Sequence, residues 1–327
     1  MITSINSWRE GYAKYLKLGW RVLIVADKRT PIDSFREFSH NFFEILTLEM
    51  QNDLFPTLSK LLPLNSYARK NLGYLYALQS GAERIWDTDD DTFIRQEFLN
   101  EDFLSNFVDI KSVGGDGVLN PYTYFAPGSG IWPRGFPLRL LEKKDSNHVI
   151  SKLNLDIDRV KDFDLIQTLV NICPDVDAIY RLTISNTSLE FDISRTLLLI
   201  DSPLLVPGNT QSTFWQKKAK FAWMYIPSSV SFRFCDIFRS YVLQSNCRVA
   251  HAGFVSEQFR NPHDLMLDFE SEIECYLNVD RLIDCIRESM GDNLIQVYEK
   301  LVKNQLVNTD EIRKVEAFQE IVDKVLC

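Results

Sequence analysis

The residues 87–91, Asp-Thr-Asp-Asp-Asp, put four carboxylates into one short stretch, directly after the apolar pair Ile85-Trp86. That order reads as a buried strand, 83–87, running into an acidic end. Side chains alternate along a strand, so Asp87, Asp89 and Asp91 are expected to share one face at a spacing of ~6.6 Å. Two like charges ~6 Å apart repel by roughly 3 kcal/mol at an effective dielectric of 20. A hard divalent cation, Mn²⁺ or Mg²⁺, relieves that repulsion because it takes oxygen ligands. Such a cation binds pyrophosphate and stabilises a departing nucleoside diphosphate. Asp87, Asp89 and Asp91 are thus the predicted metal ligands. The bland alternative is a solvated turn in which Asp91 caps a helix starting at Thr92.

Ser66 opens a predicted helix with Arg69 and Lys70 in its first turns and a stop at Ser80-Gly81. Cations at a helix start oppose the macrodipole, at about 0.3–1 kcal/mol each when exposed. A bound anion reverses that sign, so a basic helix start just before an acidic strand end suits a metal-bound diphosphate. Upstream, the β-branched run 20–26 ends in Asp27 and Lys28 and reads as a buried strand. Ligands of open α/β sheets sit at the carboxyl ends of strands, which makes Asp27 and Lys28 binding candidates. Farther on, Asp175, Asp177 and Arg181 surround a predicted strand, and Asp236 and Arg239 fall on a predicted helix. Either carboxylate group can hold sugar hydroxyls or act as a general base; ion pairing is the bland alternative. Trp132, Phe136 and Trp215 fall in predicted loops, where they could stack on a sugar or base. His263 is a candidate metal or phosphate ligand.

The elements that must position these groups follow from periodicity. Residues 42–54 show helical spacing, the loops 112–137 and 203–215 are rich in Pro and Gly, and 196–200 reads as a strand. From about residue 257 the chain reads as helical. Its end carries the apolar stripe Ile312, Val315, Phe318, Ile321 and Val325, with Asn308 and Glu311 placed as a capping pair. Strand, helix, helix, strand is the rhythm of a parallel α/β sheet.

Composition removes several classes. A chain of 327 residues with 45% hydrophobic content builds a sizeable core. A net charge of −9 argues against a nucleic-acid partner. The six cysteines form no CxxC pair and read as reduced thiols. No signal peptide and no membrane span is evident, so a cytoplasmic protein, at most peripheral to a membrane, is expected. GxSxG, GxxxxGK[ST], GxGxxG and HExxH are all missing from the sequence.

Residues 67–82, YARKNLGYLYALQSGA, followed by 85–90, IWDTDD, resemble the STELLO family of glycosyltransferases. The likeness continues in 132–138 (WPRGFPL), 175–182 (DVDAIYRL), 232–239 (FRFCDIFR) and 260–264 (RNPHD). A more distant likeness, in the acidic triplet and the RGxP loop, runs to the reversibly glycosylated polypeptides, which include UDP-arabinopyranose mutases. The resemblance covers roughly residues 20–275 and implies a GT-A fold, a Rossmann-like mixed sheet flanked by helices, for a domain of residues 1–275. Residues 276–327 lie outside it and read as a helical C-terminal extension expected to pack on the core or form a homodimer. It implies a UDP-sugar donor with Mn²⁺ or Mg²⁺, and a glycan or other hydroxyl acceptor. On this basis Asp87 and Asp89 take the DxD positions. Asp27, Lys28, Arg69, Lys70, Asn71, Asp87, Arg134 and His263 contact the donor, and Asp177, Asp236 and Arg181 are the catalytic candidates, with Arg239 beside them. A UDP-sugar mutase and a non-catalytic nucleotide-sugar-binding regulator are the alternative functions.

Overall fold

A computed structural model of the chain describes residues 2–3, 10–17, 19–36, 41–98, 103–141, 149–153, 160–184, 191, 195–260 and 264–326. Its strands, in chain order, are β1 (Ile2–Thr3), β2 (Val22–Val25), β3 (Phe43–Leu46), β4 (Ile85–Asp89), β5 (Thr92–Ile94), β6 (Asp109–Gly114), β7 (Val149–Leu153), β8 (Leu165–Asn171), β9 (Thr196–Ile200), β10 (Ser212–Trp215) and β11 (Val249–Gln258). They join one sheet in the order β3-β2-β1-β4-β10-β8-β11-β9-β6-β7, with β5 paired to β11. The first four are mutually parallel. β10 then enters antiparallel to both β4 and β8. Helices cover the sheet, so the architecture is a mixed α/β sheet of the GT-A kind with a helical C-terminal region.

Order 3-2-1-4 puts a reversal of strand order between β1 and β4, and a crevice opens beyond the carboxyl ends at such a point. Thr3 is in register with Val25 on one side and Asp89 on the other. Neighbouring strands lie ~4.8 Å apart. The acidic end of β4 therefore stands about two strand spacings from the end of β2, where Asp27 follows.

Several elements differ from the sequence expectation. Residues 42–54 are not one helix: β3 pairs with β2, then Thr47 caps the helix Leu48–Leu54 by accepting from Met50 N. The acidic strand runs two residues farther than expected, through Asp89. After it, Thr92 opens β5 rather than a helix, so Asp91 lies in a turn and does not continue the alternation of Asp87 and Asp89. The segment expected as a strand from Asp177 is the helix Ala178–Thr183, because the Asp177 side chain accepts from Ile179 N as its N-cap. Residues 249–258, the last two of which fall in the region expected to be helical, form the ten-residue strand β11.

The helices Leu265–Arg287, Leu294–Lys303 and Asp310–Leu326 complete the chain. Residue 276 lies inside the first of them. Leu282, Ile283, Val315 and Phe318 are fully buried in the same core as Leu23, Leu72 and Trp215. The apolar stripe of the last helix thus faces its own chain. Glu311 does not serve as a cap partner of Asn308: its carboxylate is buried and accepts from Tyr225 Oη at 2.6 Å and Ser228 N at 2.9 Å. Trp215 sits on β10 and Phe136 in the core, both buried, while Trp132 packs edge-on against Tyr180. Trp215 and Phe136 are therefore not open stacking platforms, while Trp132 is half-buried.

Candidate active site

β4 is buried through Thr88 because β1 and β10 flank it on both sides. Ile85, Asp87 and Asp89 share the face that looks towards the helix Lys70–Gln79. Asp87 is fully buried there. Lys70 Nζ stands 2.6 Å from Oδ1, Arg239 Nη1 3.1 Å from Oδ2, and Tyr74 Oη donates to Oδ2 at 2.6 Å. Burial pushes this carboxyl up, but Lys70 and Arg239 outweigh it and hold the group below the usual carboxylate range. Both oxygens are taken up by protein cations. Asp87 therefore fixes Lys70 and Arg239 in place and has no free oxygen to offer a metal.

Asp89, two residues on, emerges at the open end of the strand and is only partly buried. Tyr67 Oη donates to its Oδ1 at 2.7 Å. Burial raises its pKa to about 7, with Lys70 lowering it and Asp91 raising it. That is the behaviour of a carboxylate short of positive charge. Asp91 accepts from Gln258 Nε2 at 2.8 Å, which ties the turn to the end of β11. Among the described residues no group of three or more His, Cys, Asp or Glu is arranged to hold a metal. Asp89 and Asp91 instead form an open pair of hard oxygen donors, which suits a divalent cation whose remaining ligands come from water or a phosphate chain.

A polar chain leads inward from Asp89. Tyr67 Oη lies 2.5 Å from Thr210 Oγ1 and accepts from Lys70 Nζ at 3.0 Å. Thr210 Oγ1 contacts Asp236 Oδ2 at 3.4 Å. Arg134 spans Asp236, at 3.1 Å from each oxygen, and Asp175, at 2.9 and 2.7 Å. Asp175 Oδ2 also takes Asn209 Nδ2 at 2.9 Å. Burial raises the Asp175 carboxyl, but Arg134 outweighs it and sets the pKa at about 2. Two buried triads result. Lys70 and Arg239 against Asp87 carry one net positive charge, and Asp175 and Asp236 against Arg134 carry one net negative charge. Tyr67 and Thr210 bridge them.

Gly135 explains the RGxP loop locally. Its φ is 84°, and a Cβ there would sit 2.2 Å from Ile237 Cγ2. Only glycine lets the loop approach the helix Cys235–Val242 closely enough for Arg134 to meet Asp236.

The other predicted residues separate into groups. Asp27, at the end of β2, accepts from Ser66 N at 3.0 Å and Lys28 N at 2.7 Å; both Asp27 and Lys28 reach the surface beside the crevice. Arg69 does not face a ligand: it is buried and donates to Gln51 Oε1, Ser59 Oγ and backbone carbonyls. Asn71 is buried too and exchanges two hydrogen bonds with the Ile226 backbone. Asp177 is buried near Glu272 and Tyr276, and burial followed by Glu272 raises its pKa to about 6. Arg181 folds back onto the carbonyls of Pro174 and Val176. Neither reaches the Asp89 end. His263 lies outside the described residues. Sequence reasoning passed over Tyr67, Tyr74, Asn209, Thr210 and Gln258. Tyr67 stands directly after the cap Ser66 and beside the basic pair, and that adjacency was the available signal.

No protein-family model matches the chain. A Rossmann-like parallel half-sheet joined to a mixed half, with carboxylates at its switch point, defines a GT-A-like glycosyltransferase fold. Two curated proteins of Arabidopsis thaliana are similar to this chain. Probable glycosyltransferase STELLO2 is 29% identical over 289 residues, covering 81% of this chain and 36% of the relative. Probable glycosyltransferase STELLO1 is 30% identical over 289 residues, covering 81% of this chain and 35% of the relative. Across that matched span the chain is similar to the STELLO-type glycosyltransferases. It spans about a third of the length of these relatives. No described helix is long and apolar enough to cross a membrane.

Proposed function

We propose that this chain is a glycosyltransferase that takes a nucleotide-diphospho-sugar donor, of the UDP type, together with Mn²⁺ or Mg²⁺, and passes the sugar to a hydroxyl acceptor. The observation that carries the reading is Asp89. It is a carboxylate at the switch point of the sheet, short of positive charge, beside a second carboxylate in the same turn. Similarity to proteins named glycosyltransferases supports the same reading.

On this reading Asp89, with Asp91, holds the metal, which when bound neutralises the diphosphate and stabilises it as it leaves. Asp27 and Lys28 line the nucleotide side of the crevice. Tyr67 orients the Asp89 carboxylate through its hydroxyl. Lys70, held by Asp87, supplies positive potential beside Asp89 from a buried position, where it costs no reorganisation during reaction. Asp236, buried with both oxygens engaged by Arg134, Thr210 and Ile237 N, positions Arg134 and Thr210 on the sugar side.

The test is turnover. Each of a set of UDP-sugars is incubated with the protein and Mn²⁺, then with EDTA, and UDP release is followed. Metal-dependent release of UDP from one donor is the expected result. Conversion of the sugar ring without UDP release would make the protein a mutase. Nucleotide binding with no change in any donor would make it a non-catalytic binder.

A further inference from the structure

Phe232 is the most exposed phenylalanine described, at 66% of its surface. A single exposed apolar side chain is ordinary on a flexible surface. Phe232 differs in how its backbone is held. Ser231 N donates to Glu274 Oε2 at 2.5 Å. Ser231 O accepts from both Phe234 N and Cys235 N at 3.0 Å. Arg233 Nη2 pairs with Glu272 at 2.6 Å and its Nη1 with Asp268 at 3.2 Å, and its carbonyl accepts from Arg134. The Phe232 carbonyl takes the Cys235 thiol at 3.2 Å. Every neighbour is anchored, yet the ring itself is left in solvent.

The ring also has a defined place. It meets Tyr67 edge-on, with centroids 5.8 Å apart and planes at 90°, and Tyr67 is the residue whose hydroxyl binds Asp89. Ser66, on the other side of Tyr67, is bonded to Asp27. Tyr67 thus links the Phe232 ring to the Asp89 carboxylate, next in the chain to the residue that bonds Asp27.

We propose that Phe232 is the stacking platform for the acceptor, and that the acceptor presents a carbohydrate ring to it. This rests on the glycosyltransferase reading above. An aromatic face carries negative quadrupole charge, and the C–H-rich face of a pyranose carries positively polarised hydrogens, so the two attract while the sugar hydroxyls stay free for solvent. A platform fixed before binding loses little entropy on capture. An acceptor presented by a peptide serine or a simple alcohol has no such ring face and gains nothing from Phe232.

The experiment uses the full chain with ¹³C-labelled phenylalanine rings, titrated with maltose, cellobiose, lactose, a serine-containing peptide and glycerol, with and without UDP and Mn²⁺. The Phe232 signal is assigned by its loss in Phe232→Leu. The expected result is that at least one disaccharide moves the ring signal while the peptide and glycerol do not. Phe232→Ala should then weaken that disaccharide about tenfold, Phe232→Tyr should retain it, and the affinity for UDP with Mn²⁺ should stay within about twofold. The proposal is overturned if no disaccharide moves the ring, if Phe232→Ala binds the disaccharide as well as wild type, or if the variant loses UDP instead, which would make the ring a base-stacking group. Failure of UDP to bind wild type would count against the glycosyltransferase reading, while the saccharide titration would still decide whether Phe232 binds a sugar ring.

Discussion

Asp87 and Asp89 point from the same strand towards the same helix, one pleat apart, and live in opposite electrostatic surroundings. Around Asp87 the protein has brought two cations and a tyrosine hydroxyl into a fully buried site, and the carboxyl is held below its usual range. Around Asp89 it has brought one tyrosine hydroxyl and left the strand end open, and the pKa climbs to about 7. The first carboxylate is compensated by the fold. The second awaits compensation from outside it. A buried ion cluster sets geometry, whereas an uncompensated carboxylate at a strand end is a place for a cation. On the proposed reading, structure falls to Asp87 and ligation to Asp89.

The largest expected effect separates the two on stability. Asp87→Asn leaves Lys70 and Arg239 buried without a counter-charge, which should cost about 3–5 kcal/mol in urea unfolding. A loss below about 1 kcal/mol would mean that the triad is not what holds the helix to the strand.

Next in size is pH. The proton on Asp89 competes with a cation, and its pKa in the metal-free protein is raised to about 7. Mn²⁺ affinity should fall about tenfold per pH unit below that value and level off above it. A flat profile between about pH 5.5 and 8 would remove Asp89 from the metal site.

Asp177 gives a smaller effect in the opposite sense. Its folded-state pKa, about 6, lies above the ordinary value of 3.8. The folded protein therefore binds this proton more tightly than the unfolded chain does, and stability falls as pH rises through that window. Asp177→Asn keeps a cap oxygen for Ile179 N and removes the repulsion from Glu272. It should stabilise by about 1 kcal/mol near pH 7.5 and by nothing near pH 4.5. Equal effects at both would show that Asp177 is not charged at neutral pH. Asp89→Asn should act in the same sense as Asp177→Asn: with the folded-state pKa raised to about 7, the variant should stabilise the metal-free protein by about 1 kcal/mol or more near pH 8 and by nothing near pH 4.5.

Much of this is legible in the sequence. The acidic strand end, the helix opened by Ser66, the strand 196–200 and the C-terminal apolar stripe all follow from short-range patterns. What escapes is long-range pairing. β8 carries Gln167 and Thr168 in a fully buried strand, and they read as polar until Asn209 and Ser212 are seen to bind them. Arg69 and Lys70 look alike in sequence, yet one is spent on Gln51 and Ser59 and the other on Asp87. Spacing puts Asp87, Asp89 and Asp91 on one face, but the turn into β5 and the arrival of Arg239 from 152 residues away split them. Charge partners distant in the chain decide which acid is free, and no local pattern carries that information.

The metal-ligating role of Asp89 is most directly tested by calorimetric titration of UDP into wild type, Asp89→Asn and a Lys28→Ala control, with and without Mn²⁺, near pH 8. Wild type is expected to bind UDP only with Mn²⁺, and folded Asp89→Asn to lose at least about a hundredfold in affinity. Lys28→Ala is expected to keep its metal dependence. UDP binding that ignores the metal, or an Asp89→Asn protein that binds as wild type does, would contradict that role.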